Sequence, residues 1–205
     1  MSTGFIYGNR ENTLFQNKGM SLHGALDNMR YDGDVKQQDF PHNVEMPKAK
    51  QLFEQYYPAL KDKANSYRIT GYYYCPNTNA IKAALMKDGP VLMALVWRSD
   101  ITLAEDGYTL TTKQKLFDVQ GGHCMVIYGW NKDGWLVQNS WGEDWGRKGT
   151  CLIPYNIRLF EAWGVIDTNV DNRSDLKKPF SSVIGRIIAK VLNKLLNLFK
   201  KREKE

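Results

Sequence analysis

Gly121-Gly122-His123-Cys124-Met125-Val126-Ile127-Tyr128-Gly129-Trp130 is followed after a short polar stretch by Gly134-Trp135-Leu136-Val137-Gln138-Asn139-Ser140-Trp141-Gly142-Glu143-Asp144-Trp145-Gly146. Both segments open on glycine and run through short apolar stretches, so 122–130 and 134–139 read as two strands. His123 stands at the start of the first strand, just after a glycine pair that permits close approach. Asn139 stands at the end of the second, 16 residues later. If the strands form a hairpin, the asparagine carbonyl can accept from one imidazole nitrogen. The tautomer and aim of the ring are then fixed, and the other nitrogen is left to exchange protons with a neighbour. Trp141 can shield that hydrogen bond from water. A core histidine with satisfied nitrogens beside an unrelated turn asparagine would produce the same two residues.

Working outward, Val91–Trp97 is a short continuous apolar run of the kind expected of a buried strand, and 149–153 and 163–167 are further strand candidates. Upstream the period changes. Met20, Leu22, Ala25, Leu26 and Met29 are spaced as on a helix that Gly33 closes. A second helix is expected over 48–57, stopped by Pro58, and a strand over 66–74. Asn77 or Thr78 can cap a helix that runs to Lys87 and ends at Gly89-Pro90. Helices first and short strands later indicate an α+β domain whose second half is a small antiparallel barrel or sheet.

The Gly-Gly-His strand followed by Asn-Ser-Trp-Gly and then Trp-Gly resembles the histidine and asparagine motifs of the papain-like cysteine peptidases. Ile81-Lys82-Ala83-Ala84-Leu85 through Gly89-Pro90-Val91 is similar to that family's helix and Gly-Pro-Val strand, and Gly149 to Tyr155 to its closing strand. The resemblance covers residues 66–167 well. It covers 2–60 more loosely, where Phe5-Ile6-Tyr7 and Phe40-Pro41 are similar to bacterial and phage members. It implies a two-lobed fold with a cleft between the lobes, and a peptide or protein substrate. A thiolate attacks the peptide carbonyl, a histidinium protonates the leaving amine, and a glutamine stabilises the oxyanion. Carried onto this chain, His123 is the acid/base, Asn139 orients it, and Trp141 and Gly122 support the pair. The resemblance calls for no metal and no cofactor.

No cysteine stands where the nucleophile belongs. In the papain pattern it precedes the histidine and asparagine by about 130–150 residues, which here falls near or before residue 1. Cys75 lies only 48 residues before His123 and is not followed directly by a helix. Cys124 should face away from His123 and pack in the core, and Cys151 reads as a small buried hydrophobe. The expectation is therefore a two-lobe fold lacking its nucleophile helix. Residues 1–65 would be what is left of the helical lobe, with apolar side chains around Leu22, Leu26, Met29, Leu52 and Phe53 short of packing partners. Residues 66–170 would be the lobe that carries the histidine. A chain or segment supplying the cysteine is the implied partner. Two alternatives stand beside the truncated or split peptidase: a non-catalytic domain of this fold that binds peptides, and a membrane-surface protein acting through its tail.

The tail carries the chain's whole charge excess. Residues 173–205 hold ten Lys and Arg against three acids, while residues 1–172 hold 18 basic and 19 acidic residues. The near-neutral body argues against nucleic-acid binding. A linker is expected over 171–180 and a basic amphipathic helix over 181–205. There, Val183, Ile187, Val191, Leu195 and Phe199 repeat every four residues opposite Arg186, Lys190 and Lys194. Such a helix over 181–202 lies on an anionic membrane surface or packs on protein. The first residues carry no secretory-signal pattern, and a cytoplasmic location is the default, with peripheral membrane attachment through the tail as the alternative.

Overall fold

The computed structural model describes residues 1–10, 19–45, 47–113 and 119–167. The linker and amphipathic helix expected after residue 170 lie outside the described residues.

Three helices come first. α1 (Thr3–Gly8) is capped by Ser2, whose hydroxyl accepts from the Phe5 N–H at 3.2 Å. α2 (Leu22–Tyr31) is capped in the same way by Ser21, which accepts from Gly24. Its exit depends on Gly33 at φ +77°, where a Cβ would overlap the Ala64 carbonyl. α3 (Lys48–Asn65) does not stop at Pro58 but runs through it. A proline removes one N–H and frees the carbonyl four residues earlier. Here Pro58 and Glu54 are both exposed, so the freed carbonyl lies on the solvent side of the helix, while Phe53, Tyr57, Leu60 and Ala64 keep one inward face across the break. That face, with Phe5, Val35 and Phe40, forms a small aromatic core. The Phe5 ring lies 5.5 Å from Phe40 and 5.0 Å from Phe53.

The remainder is a six-stranded antiparallel sheet with one helix. β1 (Gly71–Tyr74) leads to α4 (Thr78–Lys87), which Asn77 caps by accepting from Ala80. β2 (Val91–Arg98), a short β3–β4 pair (Thr102–Leu103 and Leu110–Thr111), β5 (Val119–Trp130), β6 (Gly134–Gln138), β7 (Thr150–Pro154) and β8 (Glu161–Ile166) follow. The sheet order is β1-β8-β2-β5-β6-β7. β1 and β7 are its two edges, so the sheet is open and the expected barrel does not close. α4 covers one face. Ile81 and Ala84 meet Val91, Met93, Leu95, Met125, Ile127, Val137, Cys151 and Ile153 in the main core. The expected strand over 66–74 shortens to its last four residues, because Ser66 and Tyr67 bond back to the end of α3. α2 reaches the sheet through side chains: Tyr72 of β1 donates to Asp27, and the His23 ring lies 5.5 Å from both Tyr72 and Trp163.

Candidate active site

β5 and β6 form the hairpin that places the candidate pair. Val126 pairs with Gln138 and Ile127 with Val137, so the chain leaving β6 runs back along the start of β5. His123 Nε2 lies 2.8 Å from Asn139 Oδ1. The Ser140 N–H donates to the same oxygen, also at 2.8 Å. Two donors converging on one atom require the amide's carbonyl oxygen there, so Nε2 carries the proton and Nδ1 is the nitrogen available for proton transfer. Asn139 is only 5% exposed, a dry setting in which a hydrogen bond holds its geometry.

Two features hold Asn139 that the sequence did not single out. Its N–H donates to the Gly149 carbonyl at 2.8 Å, and the Gln138 side chain donates to both the Asn139 and Gly149 carbonyls, at 3.0 and 2.9 Å. The signal was present in the turn-rich Trp-Gly-Arg-Lys-Gly run, where Lys148 and Gly149 both take positive φ, but nothing in one dimension tied that turn to Asn139.

Trp141 lies against the imidazole with ring centroids 4.6 Å apart, tilted by 32°. It is itself 47% exposed, so it covers a ring face rather than sealing the pair. Trp97, a second indole the sequence reading passed over, crosses the imidazole at 76° from 5.1 Å. Gly122 stands next to His123, paired with Val96, but a Cβ there would meet no atom within 4 Å. Close approach within this chain therefore does not explain that glycine.

No thiol of the chain stands beside the imidazole. Cys75 follows β1, three strand spacings or roughly 14 Å across the sheet from β5. It is buried, and burial raises its thiol above the ordinary range, with a backbone hydrogen bond from Gly164 working against that. Cys151, on β7, is fully buried, and burial pushes it up to about 12. Cys124 faces away from His123, as the strand alternation requires, but not into the core as expected. It pairs with Ala94 and is exposed. Protein crowding its sulfur, with the Glu161 charge second, pushes that thiol up to about 11.

Cys124 and Leu92 form the sheet side of a cleft of about 640 Å³. Ile6, Tyr7, Met20, Ala25 and Met29 line the helical side, and Asp34 contributes a buried carboxyl. The expectation of unpacked apolar side chains divides here. Leu22, Leu26 and Phe53 are buried, while Met20, Ala25 and Met29 are only partly covered and look into the cleft. Among the described residues no cluster of His, Cys, Asp and Glu could hold a metal ion.

Residues 13–169 match the family described as papain family cysteine protease. The chain belongs to the papain family. It is 30% identical over 107 residues to the cathepsin B-like cysteine proteinase 3 of Ostertagia ostertagi, covering 50% of this chain and 60% of that protein. It is 41% identical over 91 residues to the cathepsin B-like CP3 of Giardia intestinalis, covering 42% of this chain and 28% of that one. The chain thus spans less than two thirds of either relative. Among solved structures it resembles xylellain, a cysteine protease from Xylella fastidiosa, with a TM-score of 0.68 and 19% identity over 82% of this chain and 70% of that one. It also resembles the Carica candamarcensis cysteine protease CMS1MS2, with a TM-score of 0.56 and 16% identity over 82% and 77% of the two chains. These likenesses establish a papain-like α+β fold.

Proposed function

We propose that this chain supplies the acid/base half of a cysteine peptidase site and that the nucleophilic thiolate comes from a segment outside its 205 residues. The observation that carries the reading is the 2.8 Å contact between His123 Nε2 and Asn139 Oδ1, with Trp141 against the ring. In this reading His123 Nδ1 takes the thiol proton, and the resulting imidazolium stabilises the thiolate. The thiolate attacks the peptide carbonyl, and His123 returns the proton to the leaving amine. Asn139 keeps Nε2–H engaged throughout, which leaves Nδ1 as the working nitrogen. None of Cys75, Cys124 and Cys151 fits the nucleophile's place, since each thiol is raised and none faces the imidazole.

The cleft supports the second half of the proposal. Its lining is mostly apolar, and its sheet wall includes Cys124, the residue that follows His123 on β5 and points to the other face. A segment with one apolar helix face, a glutamine and a Cys-Trp pair would bury that lining, and its cysteine would have to reach past the start of β5 to the face that carries His123. The test is to co-express such a segment, taken from a cathepsin B-like relative, with this chain, and to measure association and labelling by a thiol-reactive peptide inhibitor. The expected result is a complex whose new cysteine is labelled, with labelling lost in His123→Ala. Association with an unreactive cysteine would show that His123 is not positioned for catalysis. Failure to associate would favour a binding role for the cleft over a catalytic one. Without the segment, the chain is expected to leave a generic fluorogenic peptide uncut.

A further inference from the structure

Trp97 occupies a position that the hydrogen bond to Asn139 does not explain. It lies on β2 two residues after Leu95, which pairs with His123, so alternation puts the indole on the face that carries the imidazole. Its direct partner across the ladder is Gly121. A Cβ at Gly121 would meet no atom within 4 Å, so the indole does not lie over its own partner. It leans instead toward the next level, 5.1 Å from the imidazole and 4.8 Å from Trp141. The ladder register breaks immediately after it, between Trp97 and Arg98, the kind of irregularity that re-aims a side chain. Three rings thus form a closed set in which each touches the other two, with Trp145 packed behind Trp141 at 5.4 Å.

Resting on the function proposed above, we infer that Trp97 is a positioning residue: it holds the His123 ring in the orientation in which Nε2 faces Asn139 and Nδ1 is left available for proton transfer. A single hydrogen bond leaves an imidazole free to swivel about the axis of that bond. Trp141, half exposed, restrains the ring from one side only, and Trp97 supplies the crossing contact that removes the swivel.

The test reads the ring and not hydrolysis, so its failure and the failure of the peptidase reading are separable. Long-range proton–nitrogen NMR spectra of the 15N-labelled chain report the three imidazoles, His23, His42 and His123, and His123→Ala assigns the last. In the wild-type chain the two His123 nitrogens are expected as separate resonances, one protonated and one bare. In Trp97→Leu and Trp97→Met that separation is expected to be lost as the ring samples both orientations, with His42 unchanged. Trp97→Phe, which restores a ring, should recover it. A role confined to filling space would leave the nitrogens separated in the folded aliphatic variants, and that result overturns the inference. So does an averaged wild-type spectrum, or a Phe variant no better than Leu. If neither aliphatic variant folds, cross-relaxation between Trp97 indole and His123 ring protons in the wild type decides, and its absence overturns the contact.

Discussion

Asp34 lines the cleft at 4% exposure, and its Oδ1 accepts from the Val35 N–H at 2.7 Å. Burial raises its carboxyl from 3.8 to about 6, against the backbone N–H groups of Val35 and Ser2, which pull the other way. At about 1.4 kcal/mol per pH unit, a rise of that size corresponds to about 3 kcal/mol, an upper figure because water in the cleft screens the charge. The sign follows from proton binding. Between pH 4 and 6 the folded state holds a proton that the unfolded state has released, so folding is progressively disfavoured as pH rises through that window. Asp34→Asn removes the titration. Urea denaturation of both proteins at pH 4, 5, 6 and 7 should show the variant gaining on the wild type by up to about 3 kcal/mol across the series, mostly between pH 4 and 6. Any fixed cost or gain of the amide is the same at every pH and drops out of the comparison. Parallel stability curves would refute the reasoning, since they would mean the carboxylate is already solvated or paired.

Gly33→Ala forces a Cβ into the Ala64 carbonyl at a positive φ, and denaturant unfolding should show a loss of about 2 kcal/mol or more, with the helical part affected first in hydrogen exchange. Pro58→Ala restores the missing N–H in the middle of α3, and a gain of about 1–2 kcal/mol is expected after the proline's own restriction of the unfolded chain is subtracted; a loss would mean the helix is shaped by the break. Cys151→Ser places a hydroxyl in a fully buried site, with an expected cost of about 1–3 kcal/mol and a smaller one for Cys151→Ala, both read from thermal or urea unfolding.

The strands were legible because each is a short apolar run next to turn-forming residues such as Gly, Asn, Asp or Pro, and β2, β5, β6, β7 and β8 fall close to where the sequence puts them. The caps at Ser21 and Asn77 follow the same local chemistry, a short polar side chain just ahead of a helical apolar period. Pro58 misled because the cost of an interior proline depends on where its freed carbonyl points, and exposure of Glu54 is a tertiary fact. The missing barrel has a similar cause: alternation predicts strands but not whether the first and last meet. At the candidate site, His123, Asn139 and Trp141 come from one hairpin and so could be read from one stretch of chain. Trp97 and Gln138 could not, because their relation to that hairpin depends on cross-strand register and on a side chain reaching another turn. Cys124 shows the limit of alternation: the face was right, but which face is solvated depends on the cleft.

The hairpin that joins β5 to β6 has a bearing on how such a protein can be divided. Both members of the His123–Asn139 pair hang from one covalent loop, and the contacts that fix them come from β2 and from the turn at Gly149. A cut in the polypeptide anywhere before Val91 leaves all of these on a single piece. The fold therefore has a seam along which a gene can be split, or a protein built from two polypeptides, without dismantling the proton-handling side of its chemistry.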